Sequence, residues 1–383
     1  MEALSLLRQG MEACSKLATQ ALGDRGKYVG LSDIGKAAEC LRSAVAGKLS
    51  VTATSSGQSL STQQNCQTLL RELRKQRGHW FEDGVAQAFA LTGRPVLHQL
   101  SIHTRQNNVP IIAHLDFALI SGSDAPGIQV VELKSCERIP DTAYTGHEVQ
   151  LAGQIGLLET LWNQPRFMVQ PGPLRTFPDL ARHICDIHLP EQTENVLIEG
   201  AILMLSMNEA KVFGPYKPNK IMLEVCFNLA EQIWENAEKI RSGAASLNDA
   251  PTARGRHPLC DSCEWNADCP RFAGMSAPEF EQDLLELRGL KDEKEAAVLR
   301  VQELEERLKN IFQGIGSGRE WVNALTQRFR VGLCEGRKTL DKELLRAALT
   351  TCLSGDEAEA VLAAGYKTGE PYERLYVSPI NNG

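Results

Sequence analysis

At 383 residues the chain is long enough for two domains, or for one large domain with appendages. Its apolar content of 43% and charged content of 23% are those of a folded globular protein, and no apolar run approaches a membrane span. The net charge of −7 argues against a passive nucleic-acid coat, while leaving room for an enzyme with a local basic groove.

The opening segment "MEALSLLRQGMEACSKLATQAL" has no basic n-region, so a signal peptide is not expected and a cytoplasmic protein is. The eleven cysteines are then expected as thiols rather than disulfides. Residues 1–60 read as a helical segment that turns polar at "SVTATSSGQSLSTQQN", a Ser/Thr/Gln-rich linker. A helix follows in "CQTLLRELRKQRGHWFEDGVAQAFALTG", with Gly78 as an interruption and Gly93 as its C-terminal cap. Its basic run Arg71, Arg74, Lys75 and Arg77 is a candidate nucleic-acid contact or a solvated helix face.

"RPVLHQLSIHT", "NVPIIAHLDFALIS" and "GIQVVELKSC" predict three strands, and "HEVQLAGQIGLLETLWN" a helix. "NVLIEGAILMLSMN" and "KVFGPYK" predict two more strands, and "MLEVCFNLAEQIWENAEKIRSG" an amphipathic helix. This order predicts an α/β fold with a central mixed sheet flanked by helices, spanning residues 61–275. Residues 276–383 form a distinct tail. It opens on a capping box, Ser276 to Glu279, and continues as one long helix with near-heptad apolar spacing from Leu287 to Ile311. A shorter helix is expected after Thr339 as N-cap.

Asp116, Glu132 and Lys134 stand inside otherwise apolar strands. Residues two apart on a strand share a face, so Glu132 and Lys134 project together while Val131 and Leu133 pack the other side. Asp116, on the preceding strand, reaches the same spot. Such charges are costly to bury unless they are paired or bind a cation. An isolated Glu-x-Lys is most simply a salt bridge at a strand end; with Asp116 beside it, pairing and cation binding both remain open. Hard divalent cations prefer carboxylate oxygens, and they lower the pKa of a bound water and offset phosphate charge.

This Asp, turn, apolar strand and Glu-x-Lys pattern resembles the PD-(D/E)XK nuclease superfamily, with its restriction-endonuclease-like sheet. The resemblance implies that Asp116, Glu132 and the carbonyl of Leu133 hold Mg²⁺ or Mn²⁺, and that Lys134 orients or deprotonates the water. Gly78 and Glu82 match the Gly-x-x-x-Glu of the phage exonuclease branch, making Glu82 a further metal-site acid. Gln150 matches the family glutamine on the helix after the Glu-x-Lys strand. Tyr144, Gln154 and the nearby His79 are weaker candidates for the same groove.

"CDSCEWNADCPRF" places Cys260, Cys263 and Cys269 at ligand spacing, one short of the four that zinc or an iron–sulfur cluster requires. The spacing resembles the iron–sulfur subset of RecB-type nucleases. In these a [4Fe–4S] cluster staples an N-terminal cysteine to the end of the nuclease domain. Cys40, with Ser32 and Arg42 around it, and Cys66 compete as the fourth ligand, Cys40 being favoured; zinc is the alternative occupant. Cys136 reads as a buried thiol. The tail resembles that of YqaJ-type viral recombination nucleases. Together these imply a metal-dependent DNA exonuclease for phage or mobile-element recombination, with a single-strand annealing or recombinase protein as a possible partner and a homo-oligomer as a possible state. The alternatives are a non-catalytic DNA-binding scaffold, or an endonuclease on the same core.

Overall fold

The computed structural model describes residues 6–7, 9–11, 13–14, 23–50, 62–121, 126–169, 171–254, 257–260, 263–315, 322–323, 328–329, 331, 342–350 and 354–364. The chain divides into two compact units between Ala273 and Gly274. Among the described residues no helix is long and apolar enough to cross a membrane.

The first unit is mixed α/β: one open sheet with parallel and antiparallel pairs, flanked by helices. β1 (Val29–Gly30), α1 (Leu31–Glu39), α2 (Leu41–Ser50) and α3 (Thr62–Leu91) precede the main strands. β2 (Val96–Gln106) and β3 (Val109–Ser121) form a hairpin closed by Asn107 and Asn108, both left-handed at φ 47 and 65. Asparagine is among the few residues that tolerate such a turn, which matches the strands' own twist. β4 (Gly127–Ser135) pairs antiparallel with β3. The helix α4 (Thr145–Leu161) then crosses to β6 (Leu197–Leu205), which pairs parallel with β4, and β7 (Ala210–Tyr216) closes that edge. The short β5 (Phe167–Met168) sits on the outer edge of β2, and α5 (Phe177–Cys185) follows it. α6 (Lys220–Arg241) completes the layer.

The second unit holds α7 (Glu281–Ile315), a two-stranded pairing of β8 (Val322–Asn323) with β9 (Arg328–Phe329), α8 (Lys342–Thr350) and α9 (Gly355–Ala364).

Several local expectations need correction. Gly78 does not interrupt α3, which runs unbroken through it. A Cβ there would make only ordinary contact with Ser135 Oγ at 3.7 Å, so this glycine costs the helix some propensity without breaking it. Thr62–Asn65, assigned to the linker, are already helical. Ser276 does not cap the long helix: a 3₁₀ turn at Pro278–Phe280 intervenes, and α7 starts at Glu281. Gly93 takes the left-handed conformation at φ 69, two residues past the end of α3. Thr339 lies outside the described residues.

The crossing of α1 and α4 sets the geometry of the site. Gly35 and Gly146 meet there backbone to backbone: a Cβ on Gly35 would stand 2.4 Å from the Gly146 carbonyl oxygen, and one on Gly146 would stand 2.6 Å from that of Gly35. The contact is reinforced by Glu39, whose carboxylate accepts the Gly146 N–H at 2.6 Å. Gly35→Ala is therefore expected to lower stability by about 1–3 kcal/mol through overpacking, despite alanine's better helix propensity. Gly47→Ala, in α2 with open space around the new methyl, is expected to be neutral or to stabilise by up to about 1 kcal/mol. Denaturant melts of the two variants beside the parent check both signs.

Candidate active site

The site is built on a fork in the sheet. β3 and β4 pair from Ser121↔Gly127 to Phe117↔Val131 and no further, while β4 continues to Ser135 paired with β6 alone. Lower on β3 the same edge is taken by β1, with Val29 opposite Ile111 and Gly30 opposite Ile112. Between these two pairings backbone groups lose their ladder partners and side chains replace them. The Asp116 carboxylate accepts the Leu133 N–H at 2.7 Å, and the Gln154 amide donates to the His114 carbonyl at 2.9 Å. Because the N–H and C=O of one strand residue point to the same side, the Leu133 carbonyl faces the fork as well.

Glu132 is 3% exposed, so its charge depends on what surrounds it. Lys134 Nζ lies 2.7 Å from Oε1, and Gln150 Nε2 donates to the same oxygen at 2.6 Å. Gln154 Nε2 donates to Oε2. Lys134 also donates to Gln150 Oε1 at 3.0 Å, closing a ring of carboxylate, ammonium and amide. Both glutamines are buried on α4, a helix otherwise buried through residues such as Val149, Leu151 and Ile155. Gln154 Oε1 is buried and has no hydrogen-bond partner.

Glu82 approaches from α3. Its Oε1 pairs with His98 Nε2 at 3.0 Å and accepts from Gln99 Nε2. The His98 ring stacks on Phe117 with centroids 5.0 Å apart. Burial first, then the charge of Glu132, and further that of Glu82, push the Asp116 carboxyl well above the usual carboxylate range; the Leu133 N–H and Lys134 pull the other way. Three carboxylates thus face one lysine in a desolvated cleft. His147, in the first turn of α4, is pushed down to about 4, by burial and then by the Lys134 charge.

Glu82, Asp116, Glu132, Lys134 and Gln150 therefore converge on one fork. Of the weaker candidates, Gln154 is inside this network, His79 is exposed, and Tyr144 packs edge-on to His147 with centroids 5.5 Å apart. The sequence reading missed His98, Gln99 and His147. None belongs to a spaced motif, and only the strand register opposite Phe117 and the first turn of α4 could have suggested them. In the basic run, Arg74 and Arg77 reach Glu137 at 3.2 and 3.8 Å, whereas Lys75 turns back to Glu72 at 3.3 Å; the Arg71 side chain lies outside the described residues.

The cysteines gather around the C-terminal end of α1. Cys40 occupies the extended break between α1 and α2, at φ −158 and ψ 106. Cys260 lies near enough to Cys40, Cys263 and Cys269 that charge on each of them raises its thiol pKa, although burial is the largest cause. Arg42, 3% exposed, holds the cysteine loop to α2 by donating to the Trp265 and Asp268 carbonyls at 2.9 and 3.1 Å. His257 pairs with Glu39 on the other side of the break. Ser32 is exposed and joins none of these contacts. Cys136 packs as a half-buried thiol beside the Leu205 carbonyl, and its pKa is raised by burial. The Cys66 side chain lies outside the described residues.

Among the described residues no three His, Cys, Asp or Glu side chains are already drawn together tightly enough to hold a metal ion. The chemistry of both donor sets nevertheless fits one. The fork gathers buried carboxyl groups, oxygen donors of the kind a hard cation prefers, and the four thiols form a soft donor set.

No family model matches the chain and no curated protein does. Among solved structures, one described as "Crystal structure of SSO0001" is 12% identical, covering 72% of this chain and 98% of the other at a TM-score of 0.36.

The depressed pKa of His147 has a measurable consequence. An imidazole that binds its proton less well folded than unfolded contributes stability above the ordinary value of 6.5, and that stability is lost as pH falls toward about 4. His147→Gln is expected to flatten the decline in melting temperature across that window relative to the parent, as followed by thermal melts at a series of pH values.

Proposed function

We propose that the protein is a metal-dependent DNA exonuclease of the PD-(D/E)XK type. The observation that carries this reading is the fork itself: Asp116 and Glu132 on diverging strands, with Lys134 hydrogen-bonded to Glu132 and Gln150. Asp116, Glu132 and the Leu133 carbonyl, with Glu82 as a further acid, would hold Mg²⁺ or Mn²⁺. Such a cation supplies Lewis acidity toward the phosphate and an acidified water. Lys134 contributes a positive charge beside the scissile phosphate, where it steadies the charge that develops during attack. Gln150 fixes the direction of that ammonium, and Gln154 fixes the opposite oxygen of Glu132. His98 and Gln99 hold Glu82 to the rim of the fork.

The four cysteines Cys40, Cys260, Cys263 and Cys269 are proposed to hold a [4Fe–4S] cluster of structural role, with zinc as the alternative. Arg42 and Glu39, either side of Cys40, already tie this break to residues 257–269, which favours Cys40 over Cys66. The tail, with its 35-residue helix, is proposed to serve the same recombination role, as a contact for an annealing protein or a second copy.

Anaerobically purified protein is expected to release end label from linear DNA with Mg²⁺ or Mn²⁺, and Lys134→Ala to lower the rate by about 10²–10³-fold. Asp116→Asn should be equally inactive yet more stable than the parent in chelator near neutral pH. Its sign follows from the raised pKa: the folded carboxyl holds its proton more tightly than the unfolded one, so stability is lost as pH rises through the folded value. Failure of folded, cluster-loaded protein to cleave single- or double-stranded ends with either metal would sink the enzymatic reading and favour a DNA-binding scaffold. Cleavage of covalently closed circular DNA would favour an endonuclease.

Cys40→Ala is expected to abolish the visible absorbance of the cluster and most of the bound iron, with Cys66→Ala retaining both. Iron and zinc analysis of the two variants decides the ligand and the occupant together.

A further inference from the structure

Beside the fork lies a groove of about 490 Å³, mostly apolar in its lining but edged by two arginines and a glutamate. Arg74, Arg77 and Phe81 follow one another at helical spacing on α3, with Trp80 alongside and Met207 and Glu137 across from them. Trp80 is 53% exposed and Met207 81% exposed, although large apolar side chains generally gain free energy by burial. Arg77 reaches the Ser135 carbonyl, one residue beyond Lys134, at 3.4 Å, so the groove adjoins the end of the strand that carries the Glu-x-Lys pair. Gly78 and Glu82 form the neighbouring ridge of the same helix. The groove and the carboxylate cluster are thus two faces of one element.

We propose that this groove binds an unpaired nucleotide of single-stranded DNA, with the base stacked on Trp80 and the adjoining phosphate on Arg74 and Arg77. The proposal rests on the nuclease reading for its choice of DNA, and it names the form of that substrate. Charge and shape both favour it. Two guanidinium groups face one carboxylate, Glu137, which is itself 68% exposed, so its ion pairs are weak and an incoming phosphate displaces them at little cost. An exposed aromatic flanked by arginines is the arrangement that binds single strands without regard to sequence: every base offers a π-face, and the cations follow the backbone. A paired base in a duplex keeps its faces stacked on its neighbours and cannot offer one to Trp80. The volume lies within the range of small-ligand pockets, large enough for one nucleotide rather than a helix.

The test is fluorescence anisotropy in chelator, where hydrolysis cannot intervene, with a labelled oligothymidylate of about 20 nucleotides beside a blunt duplex of equal length. The length exceeds the roughly 4–16 nucleotides that such grooves engage. The parent is expected to prefer the single strand. Trp80→Ala should weaken single-strand binding about tenfold, with Trp80→Phe retaining most of it. Arg77→Ala should weaken binding and reduce the salt dependence by about one phosphate contact. Glu137→Gln should tighten it. Thermal melts establish that each variant is folded, and since Trp80 is more than half exposed its replacement leaves the core intact.

Equal single-strand binding by the parent and Trp80→Ala, equal losses on single strand and duplex, or no binding by the parent would each overturn the proposal. The cleavage assay fails independently: Trp80-dependent binding without metal-dependent hydrolysis would leave the groove standing and remove the nuclease, whereas hydrolysis with no effect of Trp80 on binding would do the reverse.

Discussion

The buried carboxylate of Glu132 is the constraint on which the rest of the first unit depends. An ionised acid that is 3% exposed inside a sheet costs several kcal/mol unless its oxygens are fully engaged. One oxygen takes an ammonium and an amide, and the other takes a second amide. Both amides come from one helix, Gln150 and Gln154, a single turn apart. α4 must therefore lie over β4 at a fixed height and rotation. That placement leaves little space for α1, and the Gly35–Gly146 contact is how the two helices share it. The far end of α1 is Glu39 and Cys40. Desolvation of one side chain thus fixes the position of a segment more than ninety residues upstream.

The fork gives that constraint a direction. Strands that stayed paired to their ends would place Asp116 and Glu132 side by side with the ladder intact. Here the ladder stops at Phe117 and Val131, and the Asp116 side chain substitutes for the missing backbone acceptor of the Leu133 N–H. Across β3, Gln99 stands opposite Asp116 in a left-handed conformation, φ 55, between two normal pairs, His98↔Phe117 and Leu100↔Leu115. A non-glycine residue there costs about 1–3 kcal/mol. Its side chain ends on Glu82, so the strained backbone and the third carboxylate are coupled. Strain and uncompensated charge concentrate on the same few residues. A purely structural salt bridge would have no use for either, and this concentration is the physical basis for reading the fork as a site.

The legible parts of the sequence were those where a local pattern and the tertiary environment agree. The β-branched runs became β2, β3 and β4, and Glu132 and Lys134 share a face because strand geometry requires it. Gln150 was singled out only by resemblance, as the glutamine on the helix that follows the Glu-x-Lys strand, and it lies buried on α4. The failures are equally physical. Gly78 was read as a break, but in a thirty-residue helix one glycine costs less than the surrounding turns supply. α5 was missed because nine residues opening on Thr176 and Pro178 look like a loop until the Thr176 cap on the Asp179 N–H is seen. Asp33 and Lys48, a buried ion pair joining α1 to α2, carry no spacing signal at all. His98 and Gln99 owe their roles to Glu82, sixteen and seventeen residues upstream, and only the packed structure brings them together.

The distance between Cys40 and the Cys260–Cys269 loop has the same explanation. Two elements far apart in sequence are already held together by side chains that flank Cys40: Glu39 binds both Gly146 and His257, and Arg42 binds the carbonyls of Trp265 and Asp268. These contacts place the four thiols in one neighbourhood before any metal is considered. Closing a loop of more than two hundred residues by a cross-link removes much of the unfolded chain's freedom, and the loop-length dependence is shallow enough that the span itself is no obstacle. Glu39 joins the two regions, because one of its oxygens touches the helix that carries Gln150 and the other touches the segment that leads to Cys260. Glu39 thus contacts both α4, through the Gly146 N–H, and the segment before Cys260, through His257, beside the glycine crossing that positions α4 over Glu132.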